Sequence, residues 1–329
     1  MSRRRRVLSI LLALSCTGFF LWLALHQVDF AGLGRALAVA RWIWVIPMAA
    51  IILLDLVVRA VRWRVLLSRA RPSAPLWELV RLEAIGLAVN NVLFMRMGEL
   101  IRGILAGKRL GFSTYAALAS VAVERALDVA ALLTIFVAAS AAAPGFVPDA
   151  VRNAALLVLV GAVGALMALA LAEGGVAHDG WIERALRRWP RVHAIVEQLS
   201  LGAAVLRDFG SASQAVLLSL LLWSVDAGVY WAGARALGLG DIMDYPRAVL
   251  TLSWAGASSA IPAAPGSIGT FEAAVADILG KFGATAEQGL AYALVCHMVM
   301  YLLVTGLGLA LLYRVGLSLG DLRGKIEKK

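Results

Sequence analysis

Six long apolar runs constrain this 329-residue chain more than any other feature of its sequence. A transmembrane helix needs about 17 to 25 predominantly apolar residues. The runs are Val7–Leu25, Trp42–Val58, Tyr115–Ala138, Val151–Ala172, Ala212–Leu237 and Glu287–Tyr313. Hydrophobic residues make up 61% of the chain and charged residues 16%, whereas soluble domains are about half apolar and a quarter charged. The sequence therefore predicts an all-α polytopic membrane protein and excludes a water-soluble enzyme, a fibrous repeat and a disordered chain.

Two further apolar regions are interrupted by residues that do not suit one continuous membrane helix. Polar residues interrupt region 83–108: Asn90, Asn91, Arg96, Glu99 and Arg102. Helix-breaking residues interrupt region 246–281: Pro262, Pro265, Gly266 and Gly269. In hydrocarbon, a broken helix is tolerated only where protein or a water-filled cavity surrounds its free backbone groups. We expect each region to form two short helices that enter and leave on one face, which we call the first and second hairpins.

The basic residues indicate the orientation of the chain. The net charge is +10, and most of the 31 lysines and arginines lie on segments that six spans and two re-entrant hairpins place on one face. The positive-inside rule then puts both termini in the cytoplasm. If each hairpin were instead two full spans, both termini would still lie in the cytoplasm. The charge distribution therefore leaves both topologies open.

The order of elements favours the re-entrant topology. Residues 1–143 are predicted to form span, span, hairpin and span, and residues 144–329 the same series upside down. In such inverted repeats, substrate sites form near the midplane from discontinuous helices of the two halves. Segment 173–210 has helical apolar spacing and is predicted to lie on the cytoplasmic membrane surface; it is too short for a catalytic domain.

Charged residues near the end of the second span are costly in a membrane and therefore suggest function. Asp55 and Arg59 are four residues apart, and Arg62 lies on the same helical face as Arg59. Snorkelling to the cytoplasmic surface would explain Arg62 and Arg64 without a binding role. Arg59, which we expect to pair with Asp55, is not explained in that way.

The tip of the first hairpin combines two amides, Asn90 and Asn91, with Arg96, Glu99 and Arg102. Guanidinium and amide donors suit a phosphate group. The alternative is a self-contained network in which Glu99 neutralises one of the two arginines. We expect positive charge to remain, because one carboxylate does not neutralise both.

The third span carries Glu124, Arg125 and Asp128, with the two carboxylates on one helical face. One arginine between two acids leaves a carboxylate that either orients an arginine of the first hairpin or carries a coupling proton. Asp226 is an isolated acid in a later span, interpreted as a proton carrier or a buried partner of a hydroxyl or arginine. His297 is predicted to serve packing.

The break in the second hairpin contains Pro265, Gly266, Ser267, Gly269 and Glu272. A helix that begins there would direct free N–H groups and its positive dipole end into the membrane, which makes an anion site without a charged side chain. The compatible alternative is a structural kink in which Glu272 caps the first helical turn.

Known catalytic patterns are absent from the sequence. It contains no Walker loop, no HExxH, no GxSxG and no paired cysteine ligands, since Cys16 and Cys296 are both in apolar runs. We therefore expect no enzyme activity, no cofactor, no metal and no nucleic-acid partner.

Together these motifs resemble the flippase-like transmembrane family, which is named for the membrane region of lysylphosphatidylglycerol synthase. The matching motifs are Arg59-x-x-Arg62-Trp63-Arg64, Asn90-Asn91 to Arg96-x-Gly98-Glu99-x-x-Arg102, Glu124-Arg125-x-x-Asp128 and Pro265-Gly266-x-x-Gly269-x-x-Glu272. The family implies movement of an aminoacylated phospholipid between leaflets, and its stand-alone members are linked to lipids such as hopanoids or polyprenyl-phosphate sugars. Two features depart from it: Phe94 replaces a usual proline, and the synthase's soluble aminoacyl-transferase domain has no counterpart, so the resemblance implies the transport half only.

The sequence as a whole thus predicts a lipid flippase or scramblase of the bacterial cytoplasmic (inner) membrane. Its transport is expected to be either passive or coupled to protons. The predicted substrate is an anionic phospholipid or a polyprenyl-phosphate-linked lipid. The predicted headgroup ligands are Arg59, Arg62, Asn90, Asn91, Arg96, Glu99, Arg102, Pro265, Gly266, Ser267, Gly269 and Glu272. The coupling or network residues are Asp55, Glu124, Arg125, Asp128 and Asp226, with Glu99 a further proton carrier. The alternatives are a lipid-binding partner that presents lipid to a separate transferase and an integral-membrane transferase; the oligomeric state is left open.

Overall fold

A computed structural model of the chain describes residues 3–26, 28–93, 97–176, 204–259, 261 and 265–315. Within these ranges the protein is all-helical, as predicted, with eleven α-helices and no strand. The helices are α1 (Arg3–Leu25), α2 (Phe30–Ala38), α3 (Val45–Leu66), α4 (Leu76–Val92), α5 (Gly98–Leu110), α6 (Thr114–Ala142), α7 (Asp149–Val176), α8 (Phe209–Ala236), α9 (Tyr245–Ser258), α10 (Thr270–Lys281) and α11 (Ala286–Arg314). Arg96 and most of the predicted surface segment 173–210 lie outside the described residues.

Each of the six predicted spans coincides with a helix. Within the described residues, four helices are long and apolar enough to cross a membrane: Trp42–Leu66, Asp149–Ala168, Phe209–Ala236 and Ala286–Arg314. Helix α6 is as long as these but carries three charged residues. The predicted end of the second span at Val58 is wrong, since α3 continues to Leu66. It continues because Asp55, Arg59 and Arg62 are buried against other helices rather than exposed at a membrane surface.

Helix α7 lies at the periphery of the molecule. Only 11% of its apolar stretch is buried by the described part of the protein, and Leu157 and Val160 are 75% and 70% exposed. Among the described elements it packs mainly against α6. An apolar helix with so much exposed surface requires a lipid environment or a partner, which agrees with its prediction as a span.

Both interrupted regions fold into two short helices that pack against each other, α4 with α5 and α9 with α10. The first hairpin begins earlier than residue 83, because Pro75 directly precedes the first turn of α4. Leu79 and Leu82, which precede the predicted boundary, are completely buried. Glu83 is therefore an interior residue of α4 and not the entrance to the hairpin.

Corresponding helices of the two halves make corresponding contacts. In the first half, α3 packs on α4, α4 on α5 and α5 on α6; in the second, α8 packs on α9, α9 on α10 and α10 on α11. Between the halves, α3 packs against α8, α4 against α11 and α6 against α9. The hairpin helices therefore lie between long helices of both halves.

The interface between α4 and α11 depends on small residues. A Cβ atom added to Gly308 of α11 would overlap the carbonyl oxygen of Ala84 and the Cβ atom of Ala88 on α4. Small residues allow helix backbones to approach closely, which is the main source of helix association where lipid replaces water. The contact between the two halves is thus a close backbone contact at this point.

Candidate functional site

Arg62 of α3 lies at the centre of a group of paired charges. Its guanidinium contacts Asp128 Oδ1 at 2.5 Å, Ser219 Oγ at 3.0 Å and Glu124 Oε1 at 3.2 Å, and its side chain is completely buried. Snorkelling is therefore the wrong explanation for Arg62, although Arg64, two residues on, is exposed as that explanation requires.

Arg102 of α5 joins this group from the first hairpin. Its guanidinium lies 3.1 Å from Glu124 Oε2, forms an ion pair with Glu83 and lies 4.4 Å from the ring centroid of Trp63. The prediction that Glu99 neutralises Arg102 is wrong, because the ion-pair partners of Arg102 are Glu83 and Glu124. Glu83 is the partner because α4 packs directly against α5, a contact that sequence separation does not reveal.

Arg125 forms the exposed edge of the same group. Its Nη2 atom lies 2.6 Å from Glu124 Oε1 and 3.0 Å from Asp128 Oδ2. Its Nη1 atom lies 3.7 Å from Glu99 Oε1, and the Arg125 and Glu99 side chains are 37% and 36% exposed. Of the described ion pairs in this group, this one is therefore both the loosest and the most accessible.

Asp55 and Arg59 form the predicted ion pair, with Arg59 Nε 2.7 Å from Asp55 Oδ2. The Arg59 guanidinium also lies 5.6 Å from the ring centroid of Trp223, whose Nε1 donates to Asp128 Oδ1 at 3.0 Å. Asp226, one turn beyond Trp223 on α8, interacts electrostatically with Arg59 and Asp55. Asp226 is therefore not remote from other charges, which is compatible with its interpretation as a buried partner of an arginine.

We call these ten side chains the charged network. Its four arginines and six carboxylates are Arg59, Arg62, Arg102, Arg125, Asp55, Glu83, Glu99, Glu124, Asp128 and Asp226. Carboxylates outnumber guanidinium groups, so the expected surplus of positive charge is absent from this network as described. Desolvated charges persist only when they are paired, and Arg59, Arg62 and Arg102 are all paired.

Several polar atoms of the charged network are buried without a hydrogen-bond partner. Among the carboxylates, Asp55 Oδ1 and Glu83 Oε1 have no donor in the structure. Within the described ranges, no group of three or more His, Cys, Asp or Glu side chains is arranged to hold a metal ion. A buried acceptor without a donor is costly, so these oxygens are sites at which a proton or a small hydrogen-bond donor would stabilise the network.

Amide side chains hold the break in the first hairpin. Asn90 Oδ1 accepts a hydrogen bond of 2.7 Å from the backbone N–H of Gly98, the first residue of α5. A Cβ atom added to Gly98 would overlap the carbonyl oxygen of Gly86 in α4. Asn90, which was predicted to be a headgroup ligand, therefore ties the two helices of the hairpin together across residues 94–96.

The break in the second hairpin is a tight turn at Pro265–Ser267 followed by the start of α10 at Thr270. Gly266, Ser267 and Gly269 have φ values of 74°, 58° and 90°. The backbone N–H of Gly269 donates to Glu272 Oε2 at 2.6 Å. The predicted cap is thus present, and it puts a carboxylate at the helix start that was predicted to receive an anion.

His297 of α11 connects both ends of this break. Its Nδ1 atom lies 2.5 Å from Glu272 Oε1, and its Nε2 atom lies 2.9 Å from the carbonyl oxygen of Gly266. Its ring lies 4.3 Å from the ring of Phe271, centroid to centroid. His297, which was predicted to serve packing, packs on Phe271 and in addition has a polar partner at each ring nitrogen.

The two breaks are in contact with each other. Tyr301 OH donates to the carbonyl oxygen of Asn91 at 3.3 Å, and Asn91 Nδ2 donates to Thr305 Oγ1 at 2.9 Å. A Cβ atom added to Gly266 would overlap the Tyr301 ring and lie 3.6 Å from the Asn91 carbonyl oxygen. The end of α4 and the turn at residues 265–267 therefore meet at α11.

Comparisons with known proteins agree with the four motifs. Residues 6–308 match the family described as lysylphosphatidylglycerol synthase TM region. A UPF0104 membrane protein of Methanothermobacter thermautotrophicus is 24% identical over an alignment that covers 92% of this chain and 90% of that protein. No solved structure matches the chain. The chain belongs to the family of the lysylphosphatidylglycerol synthase transmembrane region.

Proposed function

We propose that this protein moves a phosphate-bearing lipid between the leaflets of a bacterial cytoplasmic membrane. The observation that carries the proposal is the contact between the two helix breaks at Asn91 and Gly266, made through Tyr301. Discontinuous helices that meet from two halves of a chain are the usual substrate site of transporters with inverted repeats. Membership of a family named for the membrane region of a lipid synthase supports a lipid substrate.

The proposed topology has six spans and two re-entrant hairpins. The spans are α1, α3, α6, α7, α8 and α11; α4 and α5 enter from the cytoplasm, and α9 and α10 enter from the opposite face. The matched contacts within 1–143 and 144–329 support an inverted repeat. The positive-inside rule supports cytoplasmic termini.

The accessible edge of the charged network is the proposed entry point for the headgroup. Arg59, Arg62 and Arg102 are buried and paired, so we assign them to shaping the site rather than to direct contact with phosphate. Arg125 is half exposed and loosely held by Glu99. A phosphate that displaces Glu99 gains a charge-assisted contact with the Arg125 guanidinium.

Neighbouring residues extend this proposed route. Arg96, three residues before Glu99, is proposed as a second basic ligand, and Asn91 marks where the headgroup would pass between the breaks. The lipid tails would remain in hydrocarbon while only the headgroup crosses the protein, which avoids moving a bare charge through lipid.

The proposed transport is passive or coupled to protons, because the sequence has no nucleotide-binding motif. The charged network has six carboxylates and four arginines, so its carboxylates include groups that could bind a proton. Asp226 lies near Arg59, which is already paired with Asp55, whereas Glu124 contacts three arginines. Asp226 is therefore a better proton carrier than Glu124.

Replacing Arg125 with glutamine is expected to slow exchange of a fluorescent phosphatidylglycerol in liposomes by about tenfold or more, since a hydrogen bond to a charged group contributes roughly 1.5–3 kcal/mol. The matched control is Arg152→Gln on α7, because Arg152 is 36% exposed and pairs with Asp149 at 2.7 Å, away from the breaks. We expect the control to keep the wild-type rate. Equal rates for Arg125→Gln and the wild type, in protein that remains monodisperse, would remove Arg125 from the site.

A further inference from the structure

Both ring nitrogens of His297 face oxygen atoms that accept hydrogen bonds when Glu272 is ionised. Glu272 Oε1 is a carboxylate oxygen 2.5 Å from Nδ1, and the Gly266 oxygen is a backbone carbonyl 2.9 Å from Nε2. A neutral imidazole carries one N–H group, and an imidazolium carries two. Only the doubly protonated ring donates in both contacts.

We propose that His297 is a proton-binding site, and that the bound proton holds the second break in the conformation seen here. The link to lipid movement rests on the proposed transport function, but proton binding by His297 stands apart from it. Nothing in the sequence pattern assigns this role, since His297 is one polar residue in an otherwise apolar part of α11.

Pairing and hydrogen bonding allow His297 and Glu272 to be ionised although both side chains are buried. The side chains of His297 and Glu272 are 7% and 3% exposed, and an imidazolium beside a carboxylate has no net charge. The second oxygen of Glu272 is engaged by the Gly269 N–H, so both carboxylate oxygens have donors when the ring is protonated. Charged groups at this depth are stable when they are paired and hydrogen-bonded in this way.

The charged and titratable surroundings of His297 within the described residues are simple. Helix α10 presents Glu272, and α11 itself presents Tyr301, whose ring centroid lies 6.0 Å away. On α4, the Asn91 carbonyl oxygen accepts a hydrogen bond from Tyr301 OH. On α8, the Tyr230 ring centroid lies 6.5 Å from that of Phe271, the residue that packs on His297. Among the described residues, Glu272 is therefore the charged group in direct contact with His297.

Loss of the proton would weaken the turn at Gly266. A neutral ring keeps one donor, and the charge-assisted bond to Glu272 is the stronger of the two. The Gly266 carbonyl then loses its donor in a turn where Ser267, a non-glycine residue, has a φ of 58°. Such a conformation is disfavoured and persists only when its surroundings hold it. Because this turn contacts the Asn91 region, we expect release of the turn to loosen the contact between the two breaks.

The direct test is ¹⁵N NMR of the purified protein with labelled histidine. The His297 signal is assigned by its loss in His297→Gln. The signal of the exposed His26, whose Nδ1 lies 2.9 Å from the Leu23 carbonyl oxygen, is assigned by its loss in His26→Gln and serves as the reference. We expect both nitrogens of His297 to carry a proton under conditions in which the His26 signal shows a neutral ring. In Glu272→Gln, which removes the carboxylate charge, we expect only one ring nitrogen of His297 to carry a proton under the same conditions. A neutral single tautomer at every pH near neutrality would overturn the proposal.

Transport gives a second readout in liposomes. In the wild type, exchange should increase as pH rises and the turn is released, by up to about tenfold per pH unit for one titrating group. In His297→Gln the rate should no longer depend on pH in this range. Absence of exchange at every pH with a doubly protonated His297 would remove the transport function and leave the proton site. Exchange with unaltered pH dependence in His297→Gln would overturn the role of His297 in transport.

Discussion

Replacing Arg62 with methionine is expected to destabilise the protein by about 3–5 kcal/mol, because it leaves buried acids without their central cation. Methionine retains much of the side-chain volume, so loss of charge is the main change. Glu124 would then keep its contacts with Arg102 and Arg125, and Asp128 would keep those with Arg125 and Trp223. Thermal unfolding in detergent, followed by tryptophan fluorescence, measures the effect, and the yield of monodisperse protein should fall with it.

Arg64→Met is the matched control for this substitution. Arg64 lies on the same helix two residues away but is exposed, whereas Arg62 is completely buried. Removing an exposed arginine on a helix usually changes stability by less than about 0.5 kcal/mol. Equal melting temperatures for the two variants would mean that the charged network does not hold the fold together.

Gly308→Ala is expected to have the second-largest effect on stability. The added methyl group would overlap the Ala84 carbonyl oxygen, and a backbone atom of a packed helix yields only by moving α4 away from α11. Overpacking of this kind costs about 1–3 kcal/mol and sometimes more. The loss is measured as a lower melting temperature in detergent.

Gly306→Ala provides the control on the same helix. A Cβ atom at Gly306 meets nothing within 4 Å, so the substitution should be neutral or stabilise the helix by up to about 1 kcal/mol. A loss of stability in both variants would indicate a general intolerance of α11 to alanine. A neutral Gly308→Ala would contradict the close contact between the halves.

Contacts within one helix were predictable from the sequence. The Asp55 and Arg59 pair follows from a spacing of four residues, and the common face of Glu124 and Asp128 follows from the same spacing. The apolar runs and their breaks likewise predicted the long helices and the short paired helices. Each of these predictions depends on helical geometry alone.

Contacts between distant helices were not predictable in this way. Glu83 meets Arg102, and His297 meets Glu272 and Gly266, only because particular helices pack together. For Arg102 the expectation of uncompensated positive charge was wrong for this reason, since it counted only Glu99, the carboxylate nearest in sequence, and not Glu83. A single acid or histidine within an apolar helix was the available signal, but it does not identify the partner.

Leaflet exchange by the purified wild-type protein tests the transport function most directly. Liposomes would contain fluorescent phosphatidylglycerol in both leaflets, and dithionite would bleach the label that reaches the outer leaflet. The predicted result is bleaching beyond the roughly one half expected of a sealed bilayer, at a rate that increases with the number of protein molecules per vesicle and is lower for a labelled neutral lipid without phosphate. Phospholipid that co-purifies with the protein, together with bleaching no greater than in protein-free liposomes, would contradict transport and leave a lipid-binding protein that presents its ligand to another enzyme.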